Sequence, residues 1–204
     1  MYALVEDGSI TKIINNPKSM IIADVQYPAK IFQLWSQKEL NQIGIYEVIT
    51  DSSNHKDEAY YINTNEEYNF ADGQVTRSWG NATPKRLEDE DAVDEDGENI
   101  LDDDGNQVIN YGLKTDKKRI VRQQASGLLA PTDWYVVKAS EVADYNVPEN
   151  ITNYRSKVRA KSNEMETQID SCTTVEQLET LYTYTEQEDG TITRPLAEFP
   201  KEVV

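Results

Sequence analysis

Short apolar runs separated by turn residues fill the first 84 positions and predict a mainly-β module. The runs at residues 2–5 and 10–14 flank Asp7-Gly8. An Asp-Gly pair between such runs is a strong hairpin signal, because glycine tolerates the positive φ of a tight turn. The chain should therefore begin with a β-hairpin. Further extended segments are predicted at residues 29–35, 45–49, 60–63, 68–70 and 74–79, with a turn at 71–73.

One helical signal interrupts this β pattern. Ser36 and Glu39 have the spacing of a capping box, in which each side chain accepts a hydrogen bond from the other residue's free backbone N–H. We expect a short helix from residue 37 to residue 43. Gly44 follows, where a left-handed C-terminal cap is favoured.

From residue 114 onward the apolar residues recur at helical spacing. A first helix is predicted after Thr115 as its N-terminal cap, and Gly127 predicts fraying near its end because glycine destabilises a helix interior. The apolar positions of this helix lie three and four residues apart, at Ile120, Val121, Ala125 and Leu128.

Two more helices are predicted beyond residue 147. The longer one begins at Pro148, a residue favoured in a first helical turn. A capping box at residues 173–176 starts the other, and Asp189-Gly190 then turns the chain into an extended tail. The apolar positions of the long helix are Val147, Ile151, Tyr154, Val158, Met165 and Ile169, and those of the short helix are Val175, Leu178, Leu181 and Tyr182.

These patterns predict an α+β protein with two modules. Residues 1–84 form a small, mainly-β N-terminal module with one short helix. Residues 85–113 form an acidic linker of β-turns, and residues 114–204 form a helical module with an extended tail. The repeated spacing of the long helix, residues 147–169, leaves two uses open: packing within the chain, or a seam between copies in a homo-oligomer.

The acidity of the chain is concentrated in the linker. Residues 87–106 hold eleven acids and no Lys or Arg, so subtracting this segment from the net charge of −17 leaves −6 for the rest. Two octapeptides follow one another here, residues 93–100 and 101–108, and each places an Asp-Gly pair between apolar residues. Such a repeat predicts two tandem hairpin turns.

Charge and composition weigh against several classes of partner. A net charge of −17 lacks the basic surface of a nucleic-acid-binding protein and would be repelled by an anionic membrane. The chain shows no apolar run long enough for a membrane span and no secretion signal near Met1. Cys172 is the single cysteine and cannot form an intrachain disulfide. Neither nucleic acid nor a membrane is an expected partner.

Catalytic motifs give no support for an enzyme. The sequence lacks phosphate-binding and dinucleotide-binding glycine loops, the serine-hydrolase elbow and the zinc-protease motif. Its sole histidine, His55, lies in a polar stretch typical of an exposed loop. Two carboxylates of a glycan-degrading enzyme would need a fixed separation that a sequence cannot show. We therefore expect a protein without catalytic residues or cofactor, with a glycan-degrading enzyme as the alternative.

Calcium was considered because the linker is rich in Asp-Gly pairs. An EF-hand loop needs a ligand five positions before its glycine, and Ala92 and Ile100 occupy those positions. The EF-hand motif is therefore absent. A looser calcium site remains a weak candidate, and its ligands would be Asp94, Asp96, Asp102 and Asp104.

The most informative segment joins the first and second predicted helices of the C-terminal module. Thr132 or Asp133 can bond backbone groups at a turn, and Trp134 is large enough to anchor two helices by burial. Arg155 and Arg159 lie one helical turn apart, so Asp133 could pair with either guanidinium. Two interpretations stay open: a folding anchor, or a face that docks a partner.

This arrangement resembles the C-terminal module of tailed-bacteriophage tail fibre assembly and tail assembly chaperone proteins. In that family a leucine-rich helix end leads into a T-D-W turn and, after a proline, into a helix with Y-R and a second arginine. The resemblance covers about residues 114–170. Besides Pro148, the matching residues are Leu128, Leu129, Thr132, Asp133, Trp134, Tyr154, Arg155 and Arg159.

The resemblance implies a non-enzymatic phage protein that assists tail or tail fibre assembly through protein–protein contacts. Its partners would be phage tail or tail fibre proteins, and it would act in the host cytoplasm during assembly. The alternative is a permanent structural component of the virion tail. The residues matched to the family would serve as partner-binding residues or as module anchors.

Overall fold

The computed structural model describes residues 1–201 and has a mixed α+β fold, which confirms the predicted fold class. The chain divides into two compact units, residues 1–84 and 85–204. Residues 85–113, predicted as a linker, belong to the second unit. The final residues of the predicted helical module, 202–204, lie outside the described part. Each unit is described by itself.

The first unit is built mainly from strands, with two short helices. Its strands are β1 (Tyr2–Glu6), β2 (Ser9–Ile14), β3 (Met20–Ile22), β4 (Val25–Tyr27), β5 (Ile45–Thr50), β6 (Tyr61–Ile62), β7 (Glu67–Ala71), β8 (Gln74–Ser78) and β9 (Thr83–Pro84), and its helices are α1 (Ile31–Leu34) and α2 (Gln37–Gln42).

Five strands form one curved sheet in the order β2-β1-β5-β8-β7. The predicted hairpin is confirmed: β1 and β2 pair antiparallel around Asp7 and Gly8, which both have positive φ. The β7–β8 hairpin turns at Asp72 and Gly73, while β5 and β8 pair in parallel. Strand β6 pairs with β9 and not with its sequence neighbours. Apolar side chains cover both faces of the sheet.

The predicted extended segment at residues 29–35 is wrong, because helix α1 lies there. Its apolar residues Ile31, Phe32, Leu34 and Trp35 have spacings of one, three and four, which a helical turn also satisfies. Ile31 is buried in the core while Leu34 is 76% exposed. The first unit therefore has two short helices where one was predicted.

Helix α2 and its termini agree with the sequence prediction. The Ser36 hydroxyl accepts the Glu39 backbone N–H, and the Glu39 carboxylate accepts the Ser36 N–H at 2.7 Å. Gly44 has a φ of +83°, and a Cβ at this position would lie 2.5 Å from the carbonyl oxygen of Val5. Glycine is thus required both for its backbone conformation and for space.

The second unit is mainly helical. Its helices are α3 (Leu113–Leu129), α4 (Asp133–Glu141), α5 (Glu149–Ser171) and α6 (Val175–Tyr182), with a 3₁₀ turn at Ala130–Thr132. Its short strands are β10 (Glu90–Asp91), β11 (Ile109–Asn110), β12 (Thr185–Glu186) and β13 (Ile192–Thr193), which pair as β10–β11 and β12–β13.

The acidic octapeptides form two tandem turns on a ring of backbone hydrogen bonds. Ile100 donates its N–H to the Ala92 carbonyl, Val108 donates to Ile100, and Ala92 donates to Val108, all at 2.8–2.9 Å. Each residue therefore donates one hydrogen bond and accepts one within the ring, and the Gln107 side-chain amide also donates to the Ala92 and Val108 carbonyls. The turn tips at Gly97 and Gly105 have positive φ and open space around them.

Helices α3 and α5 pack against each other and carry the core of the second unit. Ala125 of α3 meets Tyr154 and Val158 of α5, and Leu128, Leu129 and Phe199 pack around them. The buried positions of α5 alternate in steps of four and three, so they form one stripe facing inward. A stripe already buried inside the chain is not available as a seam between copies. The stripe consists of Ile151, Arg155, Val158, Ser162, Met165 and Ile169, with the buried Tyr154 beside Arg155.

The start of α3 differs from the sequence prediction. Thr115 lies inside the helix, whose N-cap is Gly112 without a side-chain cap. The Asp89 carboxylate, which comes from the acidic segment, accepts hydrogen bonds from the Gly112 N–H at 2.7 Å and the Thr115 hydroxyl at 2.9 Å. The Leu113 N–H donates to the Arg86 carbonyl. The free N–H donors at this helix end are thus satisfied by acceptors in the upstream segment, residues 86–89.

The ends of α3 and α6 differ from the sequence prediction, whereas the extended C-terminal tail agrees with it. The predicted fraying at Gly127 is wrong, because α3 continues to Leu129. The cap of α6 is one residue later than predicted, since the Thr174 hydroxyl accepts the Gln177 N–H. The tail beyond β13 is docked: Leu196 is buried and donates its N–H to the Leu181 carbonyl.

Candidate partner-binding face

One buried arginine fastens the junction between α3, α4 and α5. The Arg155 Nη1 donates to the Leu129 carbonyl at 3.0 Å and to the Thr132 hydroxyl at 2.6 Å, and its Nη2 lies 2.8 Å from the Asp133 carboxylate. The Thr132 hydroxyl in turn donates to the Leu129 carbonyl at 2.7 Å. Only 8% of the Arg155 surface is exposed. We call this set, Arg155 with Leu129, Thr132 and Asp133, the Arg155 clamp.

Local sequence explains why the clamp forms at this place. Pro131 has no N–H to continue the α-helical ladder, so α3 gives way to the 3₁₀ turn. The last carbonyls of a helix lack partners within it and favour a cation, and Arg155 meets that need at Leu129. Asp133 is the first residue of α4, where a negative charge is favoured. Of the two arginines considered as its partner, Asp133 pairs with Arg155.

Helix α4 stands outside the core, with no buried residue. Trp134 is 52% exposed and packs on Tyr135, with their ring centroids 3.8 Å apart. Val137, one helical turn after Trp134, is also 52% exposed. Trp134 is therefore not buried as an anchor between helices. Arg155 joins α3, α4 and α5 instead. Trp134 and Val137 lie on one side of α4, whereas Val136, two residues from Trp134, lies on a different side. We call the exposed apolar side formed by Trp134 and Val137, with the adjacent Val142, the α4 face.

A pocket lies between α4 and α5, beside the α4 face. It is lined by Val136, Val147, Thr152, Arg155 and Arg159 and has a volume of about 310 Å³. Arg159 is exposed, and within residues 1–201 it makes no hydrogen bond or ion pair. We call this the arginine pocket.

The predicted site residues therefore separate into three groups. Three belong to the core between α3 and α5, two side chains join Arg155 in the clamp, and two are exposed. The core group is Leu128, Leu129 and Tyr154; the clamp group is Thr132 and Asp133 with Arg155; the exposed group is Trp134 and Arg159. Sequence reasoning missed Val142 and the pocket residues Val147 and Thr152. The sequence signal for this exposed surface was the uninterrupted run of aromatic and apolar residues from Trp134 to Val137, at the start of a helix.

The four candidate calcium ligands do not come together. Across residues 1–201 no three His, Cys, Asp or Glu side chains form a group that could hold a metal ion. Asp94 accepts the N–H groups of Asp96 and Glu98, and Asp102 accepts those of Asp104 and Asn106, at 2.8–3.0 Å. These two carboxylates thus order their own turns.

The second turn should lose order in acid. Hydrogen bonds from the backbone and side chain of Asn106 lower the pKa of Asp102 below its ordinary value. A lowered pKa stabilises the folded turn above the unfolded pKa of about 3.9, and this contribution is lost as the pH falls through the folded pKa. In a proton–nitrogen NMR titration, the Asp104 and Asn106 amide signals should shift over that acidic range. The same shifts in Asp102→Asn would contradict the assignment.

The helices formed by residues 1–201 lack the combination of length and apolar character that a membrane span needs. Comparison with known protein families, curated proteins and solved structures finds no match to this chain. Function must therefore be inferred from the site itself.

Proposed function

We propose that this chain is a non-enzymatic bacteriophage tail-associated protein that assists tail or tail fibre assembly through protein–protein contacts. The observation that carries the proposal is the α4 face: a helix with no buried residue, apolar on its exposed side and fastened at its base by a buried arginine. The residues that form this junction are those on which the resemblance to phage tail assembly proteins rests. The partner is a tail or tail fibre protein, met in the host cytoplasm during assembly.

The α4 face suits a protein that covers apolar surface on an unassembled partner. Exposed apolar side chains clustered on one helix are typical of an interaction site, and Trp and Tyr often dominate the binding energy. The Arg155 clamp holds this helix in place before binding, which lowers the entropic cost of association. The acidic turns supply charge that favours solubility and disfavours unspecific contacts.

A permanent role in the virion tail was the alternative. Its sequence support was the repeated spacing of α5 as a seam between copies, and that stripe is buried within the second unit. The assembly role is therefore the function favoured by the described residues. Mass spectrometry of purified virions checks this choice, since a transient assembly factor should be absent from mature particles.

We expect the variant Trp134→Asp with Val137→Asp to fold normally and to lose its partner. Both side chains are about half exposed and α4 has no buried residue, so the free energy of unfolding should fall by only about 1 to 2 kcal/mol per substitution. A charge in the centre of an apolar interface is costly, so capture of the partner should fail. The measurement is co-expression with the neighbouring tail or fibre gene, followed by co-purification and assay of the partner's soluble yield.

A matched control is Ile21→Asp with Leu34→Asp, which places the same two charges on exposed apolar residues of the first unit. It should leave capture intact. If wild-type protein neither captures the partner nor raises its soluble yield, the assembly role is wrong. If all variants capture it equally, the α4 face is not the contact.

A further inference from the structure

The arginine pocket combines apolar walls with positive charge. Val136 and Val147 supply apolar lining, and Thr152, Arg155 and Arg159 lie on one side of α5, at spacings of three and four residues. A volume of about 310 Å³ accommodates one or two side chains rather than a whole helix. The pocket is thus suited to a short segment that carries both an apolar and an acidic group.

The ion pairs of the two pocket arginines show which of them can bind an anion. Arg155 is ion-paired with Asp133, so its charge is largely compensated. Arg159 has no ion pair within residues 1–201 and is the uncompensated positive charge of the lining. Arg155 still has its Nε N–H without a hydrogen bond in the described residues. Arg159 therefore supplies the available guanidinium of this small space, and carboxylate is the anion of proteins that pairs with guanidinium.

We propose that the arginine pocket binds an acidic side chain of the partner polypeptide, together with the apolar residue next to it. Arg159 binds the carboxylate, and Val136 and Val147 contact the apolar neighbour. This inference rests on the proposed function for the identity of the partner, and it adds the chemistry by which that partner is recognised. A polypeptide is favoured over a small carboxylic acid because Trp134 and Val137 of the same helix are about half exposed outside the pocket lining, and a small molecule in the pocket would leave them uncovered.

Capped peptides test the pocket without the partner. The probes are acetyl-Gly-Leu-Asp-Gly-amide and its Asn counterpart, which differ in charge but hardly in size. In NMR titrations of the full chain, the Asp peptide should shift the Arg159 side-chain N–H and the Val136 and Val147 methyl signals. The Asn peptide should bind about tenfold more weakly or worse, as expected for loss of a charged hydrogen bond. Equal binding of both peptides, or no binding of the Asp peptide, overturns the proposal.

Substitutions identify the arginine responsible. Arg159→Met should weaken binding of the Asp peptide about tenfold or more and leave the Asn peptide unaffected. Lys157→Met is the matched control, since Lys157 is an exposed cation on the same helix outside the pocket lining, and it should change nothing. An equal loss in both variants would point to general charge attraction and would overturn the assignment to Arg159.

Two further measurements complete the test. One distinguishes a polypeptide from a small carboxylic acid as the occupant of the pocket, and the other distinguishes failure of this inference from failure of the proposed function. If free 3-phenylpropionate saturates the pocket while the Asp peptide does not, the site takes small acids and the polypeptide proposal is wrong. In the co-expression assay, Arg159→Met should reduce partner capture while Lys157→Met does not. Undiminished capture by Arg159→Met would overturn this inference and leave the assembly role intact. Failure of wild-type capture would overturn the assembly role, while the peptide titrations would still decide the pocket.

Discussion

Replacing Arg155 with methionine should lower the free energy of unfolding of the second unit by about 2 to 4 kcal/mol, because buried polar groups lose their partners. The Leu129 carbonyl and the Thr132 hydroxyl would each lose the hydrogen bond from the guanidinium, and Asp133 would lose its ion pair. The Asp133 side chain is more than half exposed, so water offsets part of its loss. Most of the expected effect therefore comes from the carbonyl and the hydroxyl.

Urea denaturation followed by far-UV circular dichroism measures this effect, since the long helices belong to the second unit. Arg155→Lys should recover only a small part of the stability, because a point charge cannot replace the planar guanidinium at three oxygens. Arg159→Met removes the same type of side chain one turn away, where it is exposed and has no ion pair with residues 1–201, and should stay within about 0.5 kcal/mol of wild type. Similar losses at both arginines would mean that the Arg155 clamp does not hold the junction.

The same experiment has a local readout. Because Arg155 fastens the base of α4, its loss should accelerate hydrogen exchange of the α4 amides more than that of the α5 amides. Uniform acceleration in both helices would indicate a general loss of stability without a special role for the junction.

Substituting alanine for glycine should have opposite effects at two positions of α3. At Gly112 a Cβ would lie 2.4 Å from the carbonyl carbon and oxygen of Glu88 and 2.6 Å from the Leu87 carbonyl oxygen. These are backbone atoms that cannot rotate away, so Gly112→Ala should destabilise the unit by about 2 to 3 kcal/mol as the upstream segment is pushed off the helix end. At Gly127 a Cβ meets open space, and Gly127→Ala should stabilise α3 by up to about 1 kcal/mol.

Each glycine is the control for the other, since the chemical change is identical. Thermal or urea unfolding should therefore place the two variants on opposite sides of wild type. If Gly112→Ala is as stable as Gly127→Ala, the segment at residues 86–89 does not pack on α3 as the structure shows.

Local signals in the sequence were sufficient for several elements. The Ser36–Glu39 capping box and the Asp7-Gly8 turn involve residues close in the chain, and both are present. Elements set by distant residues could not be predicted in this way. The parallel pairing of β5 with β8 depends on packing, and the helix donors at Gly112 and Leu113 are satisfied by Asp89 and Arg86. A single-sequence pattern contains no signal for such long-range partners.

The site was predictable in its components but not in its geometry. The sequence allowed Asp133 to pair with either Arg155 or Arg159, and in the structure it pairs with Arg155. Trp134 was interpreted as an anchor by its size alone, yet the helix that begins at Asp133 places it on the exposed side. The arginine pocket needs α4, the loop before α5 and α5 together, so only the folded chain brings its lining residues into one place.

The ring of Ala92, Ile100 and Val108 limits how the octapeptide segment can evolve. An open array of repeats gains copies by duplication, because each new unit stacks on the last. Here the three hydrogen bonds close on themselves, and every N–H and carbonyl that forms the ring already has its partner within it. A further octapeptide would have to break the ring before joining it. We therefore expect an inserted third octapeptide to disrupt at least one of the three ring hydrogen bonds.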